Sequence, residues 1–143
     1  MSNELHAAAR YLKGRLSSAE LTRLVQGRVY RNVAPPKATF PLVLFRFMGG
    51  LDTEQAGAGG RVLFRPLYQV KAVAQDTSYE LAGQIADAIE GALVGAVGTA
   101  SFNHHTHHFR GAIREGPLEY DEVLDGVRYC HVGGLYRLIT YEA

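Results

Sequence analysis

The chain has 143 residues, of which 47 % are apolar and 20 % charged, with a net charge of +1. A chain of this length buries roughly 68–70 % of the surface its unfolded form exposes, so folding requires no disulfide framework or structural metal, and the composition is not that of a disordered segment. Fifteen basic residues against fourteen acidic ones argue against a dedicated nucleic-acid binder, and the single Cys130 rules out an internal disulfide.

Twelve of the basic residues are Arg and three are Lys. The planar fork of Arg suits ion pairs at protein interfaces, although a GC-rich genome would give the same bias. Residues Met1–His6 lack the basic start and apolar run of a secretion signal, and no apolar stretch is long enough to span a bilayer. The expectation is a cytoplasmic protein with no membrane contact.

Leu5, Ala8, Ala9, Leu12 and Leu16 recur at helical spacing. Ser17-Ser18-Ala19-Glu20 has the form of a capping box that restarts a helix through Leu21, Leu24 and Val25, and Gly27 supplies a stop. Two short helices, or one kinked helix, are expected over about residues 3–26. A short strand, 28–31, and an extended Pro35-Pro36 link lead to the apolar run 41–48. Both faces of that run are apolar at its start, which predicts a central strand.

Residues 49–60 hold five glycines and almost no large apolar side chain, which predicts a long flexible loop. From Arg61 to Gln75, Val62, Phe64, Tyr68, Val70, Ala72 and Ala74 alternate with polar residues. This period of two predicts a strand with one face on the core. Pro66 cannot donate to a ladder and marks a bulge or an edge. Thr77-Ser78-Tyr79-Glu80 reads as a second capping box, opening a helix over 78–94 with Leu81, Ile85, Ala88, Ile89, Ala92 and Leu93 as its buried stripe.

Strands are expected again at 109–115 and 118–124, then a hairpin turn at Asp125-Gly126 and a long last strand, 127–141, with a bulge at Gly133-Gly134. The order predicts a single α+β domain over 1–143, with a mainly antiparallel sheet of about four to six strands and helices packed on one face.

Four of the six histidines, His104, His105, His107 and His108, fall within five residues. Imidazoles bind transition metals, but no second ligand motif accompanies them. An extended chain offers two of them per face, too few for a structural zinc site. A solvated loop or strand end is the expected reading, with a metal module and a pH-sensitive subunit contact as alternatives. Cys130 and His131 are strand neighbours that point to opposite faces, so they make no dyad. Glu119, Asp121, Glu122 and Asp125 read as solvated turn acids. Gly57–Gly60 precede a strand rather than a helix, so they lack the helix N-terminus a phosphate loop requires. Neither an enzyme nor a cofactor is expected.

The layout resembles the tail-terminator, or tail-completion, proteins of long-tailed bacteriophages and prophages. The resemblance runs through Leu24-Val25-Gln26-Gly27-Arg28-Val29-Tyr30, Ala34-Pro35-Pro36, Phe40-Pro41-Leu42-Val43, the strand ending at Gln75, Thr77-Ser78-Tyr79-Glu80 with its helix, and Tyr129-Cys130-His131-Val132 with Leu135-Tyr136-Arg137-Leu138. Leu42 stands where the family has an aromatic residue, and the histidine cluster is not a feature of the family.

The resemblance implies a structural virion protein at the head-proximal end of the tail, assembled in the host cytoplasm. It would form a ring of six copies that caps the tail tube, ends its polymerisation and joins it to the head connector, with DNA passing through without sequence-specific contacts. A head-completion or neck protein is the alternative within virion assembly. Candidate contact residues for a neighbouring subunit or the tube are Arg46, Leu51, Asp52, Thr53, Glu54 and Gln55 around the glycine-rich stretch, and Arg61, Arg65, Gln69 and Lys71 on the polar face of the following strand.

Overall fold

The computed structural model describes residues 2–54, 62–75 and 79–142. Helix α1 spans Ser2–Arg15, with Glu4 in its first turn and Lys13 and Arg15 in its last, a charge order that complements the helix dipole. Its apolar stripe places Ala7, Ala8, Tyr11 and Leu12 in the core, and Leu16 just beyond the helix is also buried. A buried leucine of this kind contributes about 1.5–3 kcal/mol relative to an exposed one.

Helix α2, Ala19–Val25, is capped by Ser18, whose hydroxyl accepts from the Leu21 amide at 3.3 Å. The cap is therefore Ser18 rather than Ser17. The helix ends at Gln26, which takes the left-handed conformation (φ 54°), one residue ahead of the expected Gly27. Strand β1, Val29–Arg31, follows and pairs in parallel with β2, Leu42–Glu54. Parallel neighbours require a crossover. Here residues 32–41 make it, with a cis Phe40–Pro41 bond near the end.

Strand β3, Val62–Gln75, pairs antiparallel with β2 and with β6, Val127–Glu142. Strand β5, His105–Leu124, pairs with β6, and β4, Gly98–Phe102, pairs with β5. The sheet order is β1-β2-β3-β6-β5-β4. Helix α3, Tyr79–Leu93, lies against β3, β5 and β6, while α1 lies against β4 and β5 and α2 against α3. The fold is α+β, with a mostly antiparallel six-stranded sheet and its helices on one face.

That sheet is curled, and α1 bridges its two edges. On one side the Lys13 ammonium donates to the Val29 carbonyl and Arg31 lies 3.2 Å from the His6 ring nitrogen. On the other, Arg10 donates to the Ser101 carbonyl at 3.0 Å and His6 packs on Phe102. Helix α1 thus covers both edge strands, one of the ways proteins protect unpaired strand edges.

Strand β2 is second in the sheet order, an inner strand whose start pairs with β1 on one side and β3 on the other. Its doubled apolar character arises because Leu42 and Leu44 lie under the crossover on the face opposite the helices. Several elements differ from their sequence reading. Residues 49–54 are strand, paired with 62–67, and the rest of the expected loop, 55–60, lies outside the described residues. The shift in register falls at Met48 of β2, opposite Leu67–Tyr68, whereas Pro66 pairs in register with Gly50 on an inner strand and marks neither a bulge nor an edge.

The strands expected at 109–115 and 118–124 are one strand, β5, kinked by shifts at 110–111 and at Glu115. Gly133-Gly134 runs in continuous register with both β3 and β5, and the nearest irregularity, at Glu115 of β5, faces Leu135–Tyr136. Strand β4 had no sequence reading at all. In α3 the small Ala82 is fully buried, while Leu81 and Ala88 are half-buried. The Asp125-Gly126 turn forms as expected, with φ of 51° and 77°. Residues 77 and 78 of the second capping box lie outside the described residues.

Candidate functional site

The face of the sheet without helices carries the features that remain for partners. Residues on it alternate with core residues along each strand. Its middle holds Gln69 and Leu67 of β3 and Leu135 and Arg137 of β6, all half-buried, and Ile113 of β5, which is 56 % exposed. At one end of this face, β2, β3, β6 and β5 and the 32–41 crossover enclose a groove of about 420 Å³. Leu42 and Val73 form its floor, both almost fully buried, and Phe40, Leu44, Leu124 and Tyr129 its walls. The Phe40 and Tyr129 rings sit 5.1 Å apart.

Asn32, Glu122 and His131 bring polar side chains to this otherwise apolar groove. His131 is only 5 % exposed, and neither ring nitrogen has a hydrogen-bond partner. Glu122 lies at the rim, with an oxygen 3.4 Å from His131 Nε2 but without hydrogen-bonding alignment. Burial holds the His131 imidazole below its ordinary value, and the Lys71 ammonium adds to this, while Glu122 opposes it. His131 stacks on Tyr120, 4.3 Å between centroids, and apart from the Glu122 oxygen near Nε2 its ring nitrogens have no polar partner among the described residues.

The sequence candidates distribute as follows. Arg46 is exposed and pairs in register with Gln69. Arg65 is exposed as well, and its carbonyl accepts from Arg137 at 3.0 Å. Among the described residues neither Arg46 nor Arg65 has an acidic partner. Leu51, Asp52, Thr53 and Glu54 pair with Arg65, Phe64, Leu63 and Val62 in the β2–β3 ladder. Gln55 and Arg61 lie outside the described residues. Lys71 is committed within the chain, donating to the Tyr120 hydroxyl and lying over its ring. The structure brings Arg46, Arg65 and Gln69 onto neighbouring strands and removes Lys71 from the free cations.

The histidine cluster disperses. His104 lies in the two-residue β4–β5 turn with Asn103 (φ 66° and 52°). His107 is buried on the helix side, and His108 stacks on Tyr141 on the opposite face, 5.1 Å between centroids. His105 is half-buried on β5, paired with Phe102. Among the described residues no three His, Cys, Asp or Glu side chains converge as a metal site. Cys130 is buried in the core and His131 points to the other face.

The acidic stretch is divided as well. Asp121 accepts from the Tyr79 hydroxyl and from Arg128 (2.8 Å), tying the β5–β6 hairpin to the start of α3. The groove and His131 escaped the sequence reading because they depend on a crossover that periodicity does not reveal. The available signal was the apolar second face of residues 42–44, there attributed to a central strand.

These features define a class: an α+β protein with its helices on one face of a mostly antiparallel, curled sheet. Residues 11–117 match the model of the tail completion protein gp17 family. The chain belongs to that family, and so is a structural protein of the phage virion tail. The match runs from α1 into β5. No curated protein sequence matches the chain. Among solved structures, a chain in the virion of a native gene transfer agent (GTA) particle is similar in fold, with a TM-score of 0.61 at 15 % identity over 97 % of each chain.

Proposed function

We propose that this protein forms a ring, of six copies, at the head-proximal end of the tail, where it caps the tube, ends its polymerisation and provides the joining surface for the head connector. It does so without catalysis, and DNA passes through the ring without sequence-specific contact. The observation that carries this reading is the one-sided architecture of a tail-completion family member. Among the described residues the three helices cover one face, while the other carries the 32–41 crossover, with its groove, at one end and is uncovered by helices elsewhere.

A subunit with distinct surfaces at its two ends is suited to meeting a tube on one side and a connector on the other. A cyclic ring also needs two different lateral patches, since a heterologous contact closes only by rotation. Arg46 and Arg65, exposed and without acidic partners among the described residues, supply charge for one of them. The second reading, a head-completion or neck protein, uses the same surfaces with the order of partners changed.

Negative-stain imaging of the purified protein mixed with tail tubes tests the main reading. Rings seated on one end of the tubes are expected, and uncapped tubes at saturating protein would overturn it. Binding assays against isolated tube protein and isolated connector separate the two readings, because the neck alternative requires the connector alone to bind.

A further inference from the structure

The groove beside the crossover has an apolar floor, one acid at its rim and a buried imidazole that stacks on Tyr120 and has no aligned hydrogen bond, with Glu122 3.4 Å away. Its occupant should present three things: an apolar side chain, a cation beside it, and a backbone or side-chain group able to hydrogen bond with His131. The chain itself carries such a set at the bulge of β2. Phe47 and Met48 are 38 % and 43 % exposed. Arg46 adjoins them, exposed and without an acidic partner among the described residues. Met48 is the extra residue at the register shift, which leaves it outside the ladder pairing. Beyond Phe45 the outer side of β2 has no paired strand among the described residues, because β1 stops opposite that residue.

Direct edge-to-edge pairing is disfavoured. The bulge and Gly49-Gly50 distort the β2 edge, while Pro117, Glu115 and Glu119 interrupt the open stretch of β5, both recognised ways of blocking strand addition. A side chain entering a groove avoids this obstacle. We propose that the groove receives Met48 of a second copy of this chain, with Arg46 of that copy placed against Glu122 and the bulge backbone hydrogen bonded to His131. The contact uses two different patches, a projection on β2 and a groove at the crossover. It rests on the ring reading above and would form the lateral contact of that ring.

The test is a charge exchange, followed by light scattering on size-exclusion columns over a range of concentrations. The wild type should self-associate. Arg46→Glu and Glu122→Arg should each raise the concentration needed for association by about tenfold or more, as expected for losing one member of an interfacial charge pair. The double variant Arg46→Glu/Glu122→Arg should return to within about threefold of the wild type. Both side chains are exposed, and thermal melts establish that each variant folds. Met48→Ser offers an uncharged variant expected to weaken association in the same direction.

A wild type that stays monomeric throughout overturns the proposal. So do single variants that associate like the wild type, or a double variant no better than the weaker single one. Imaging on tail tubes is independent of this outcome: rings that still form on tubes with Arg46→Glu remove the proposed contact and leave the capping function standing.

Discussion

At Gly133 strands β6 and β3 approach so closely that a Cβ would lie 2.1 Å from the Val70 carbonyl oxygen and 2.5 Å from the Lys71 Cα. Both obstacles are backbone, which cannot rotate away. Gly133→Ala should therefore cost about 1–3 kcal/mol or more in urea unfolding, whereas Gly116→Ala, with nothing within 4 Å, should stay within about 0.5 kcal/mol of the wild type. His131 makes a different prediction. Its folded pKa is held below the ordinary 6.5, so the unfolded chain binds the proton more readily. The associated stability is present above pH 6.5 and is lost as pH falls through the depressed folded value. A single such group gives a slope of at most about 1.4 kcal/mol per pH unit. Denaturant midpoints measured from pH 7.5 downward should show that slope in the wild type and a flatter profile in His131→Phe.

Among the elements, α1 holds more than its own packing. It joins the β1 and β4 edges of the curled sheet, so loosening it exposes both. Leu12→Ala should cost about 2–5 kcal/mol by creating a cavity, read by chemical denaturation. Light scattering near the unfolding midpoint should rise earlier than in Gly133→Ala, because strand edges are uncovered before the core opens. The β5–β6 hairpin is tied down instead by Asp121. The Tyr79 hydrogen bond, aided by Arg128, holds that carboxyl below its ordinary 3.8. The tie is therefore complete above that value and is lost as pH falls through the depressed one. Asp121→Asn should release the hairpin tip near neutral pH, read as faster amide exchange in residues 120–128 with little change in β3.

For the molecule as a whole, the helix side is closed and the opposite side carries Arg46, Arg65 and the groove. Tail-tube assembly reactions should give tubes of uniform length when the protein is present and of scattered lengths when it is absent, measured by electron microscopy. Arg65→Glu should weaken tube capping without altering the melting temperature by more than a few degrees, since the side chain is exposed and surface changes typically cost under about 0.5 kcal/mol.

Much of this architecture was legible because its signals are local. The alternation from Phe64 to Ala74 marked the core face of β3, the apolar stripe from Leu5 to Leu16 marked α1, and Asp125-Gly126 marked the hairpin turn. Each depends on dihedral preference or periodicity within a few residues. The order of family segments from Leu24 to Leu138 likewise pointed to a tail-completion protein. Pairing and curvature are not local. Strand β4 is five residues long and became a strand through its ladder with β5. Residues 49–54, glycine-rich and polar, joined β2 because β3 continued opposite them. The groove at His131 exists because residues 32–41 cross one particular face of a sheet whose strand order the chain's own periodicity does not specify. Local residue preferences determined which segments became helices and strands; long-range hydrogen bonding and burial decided which face stayed open and what lies on it.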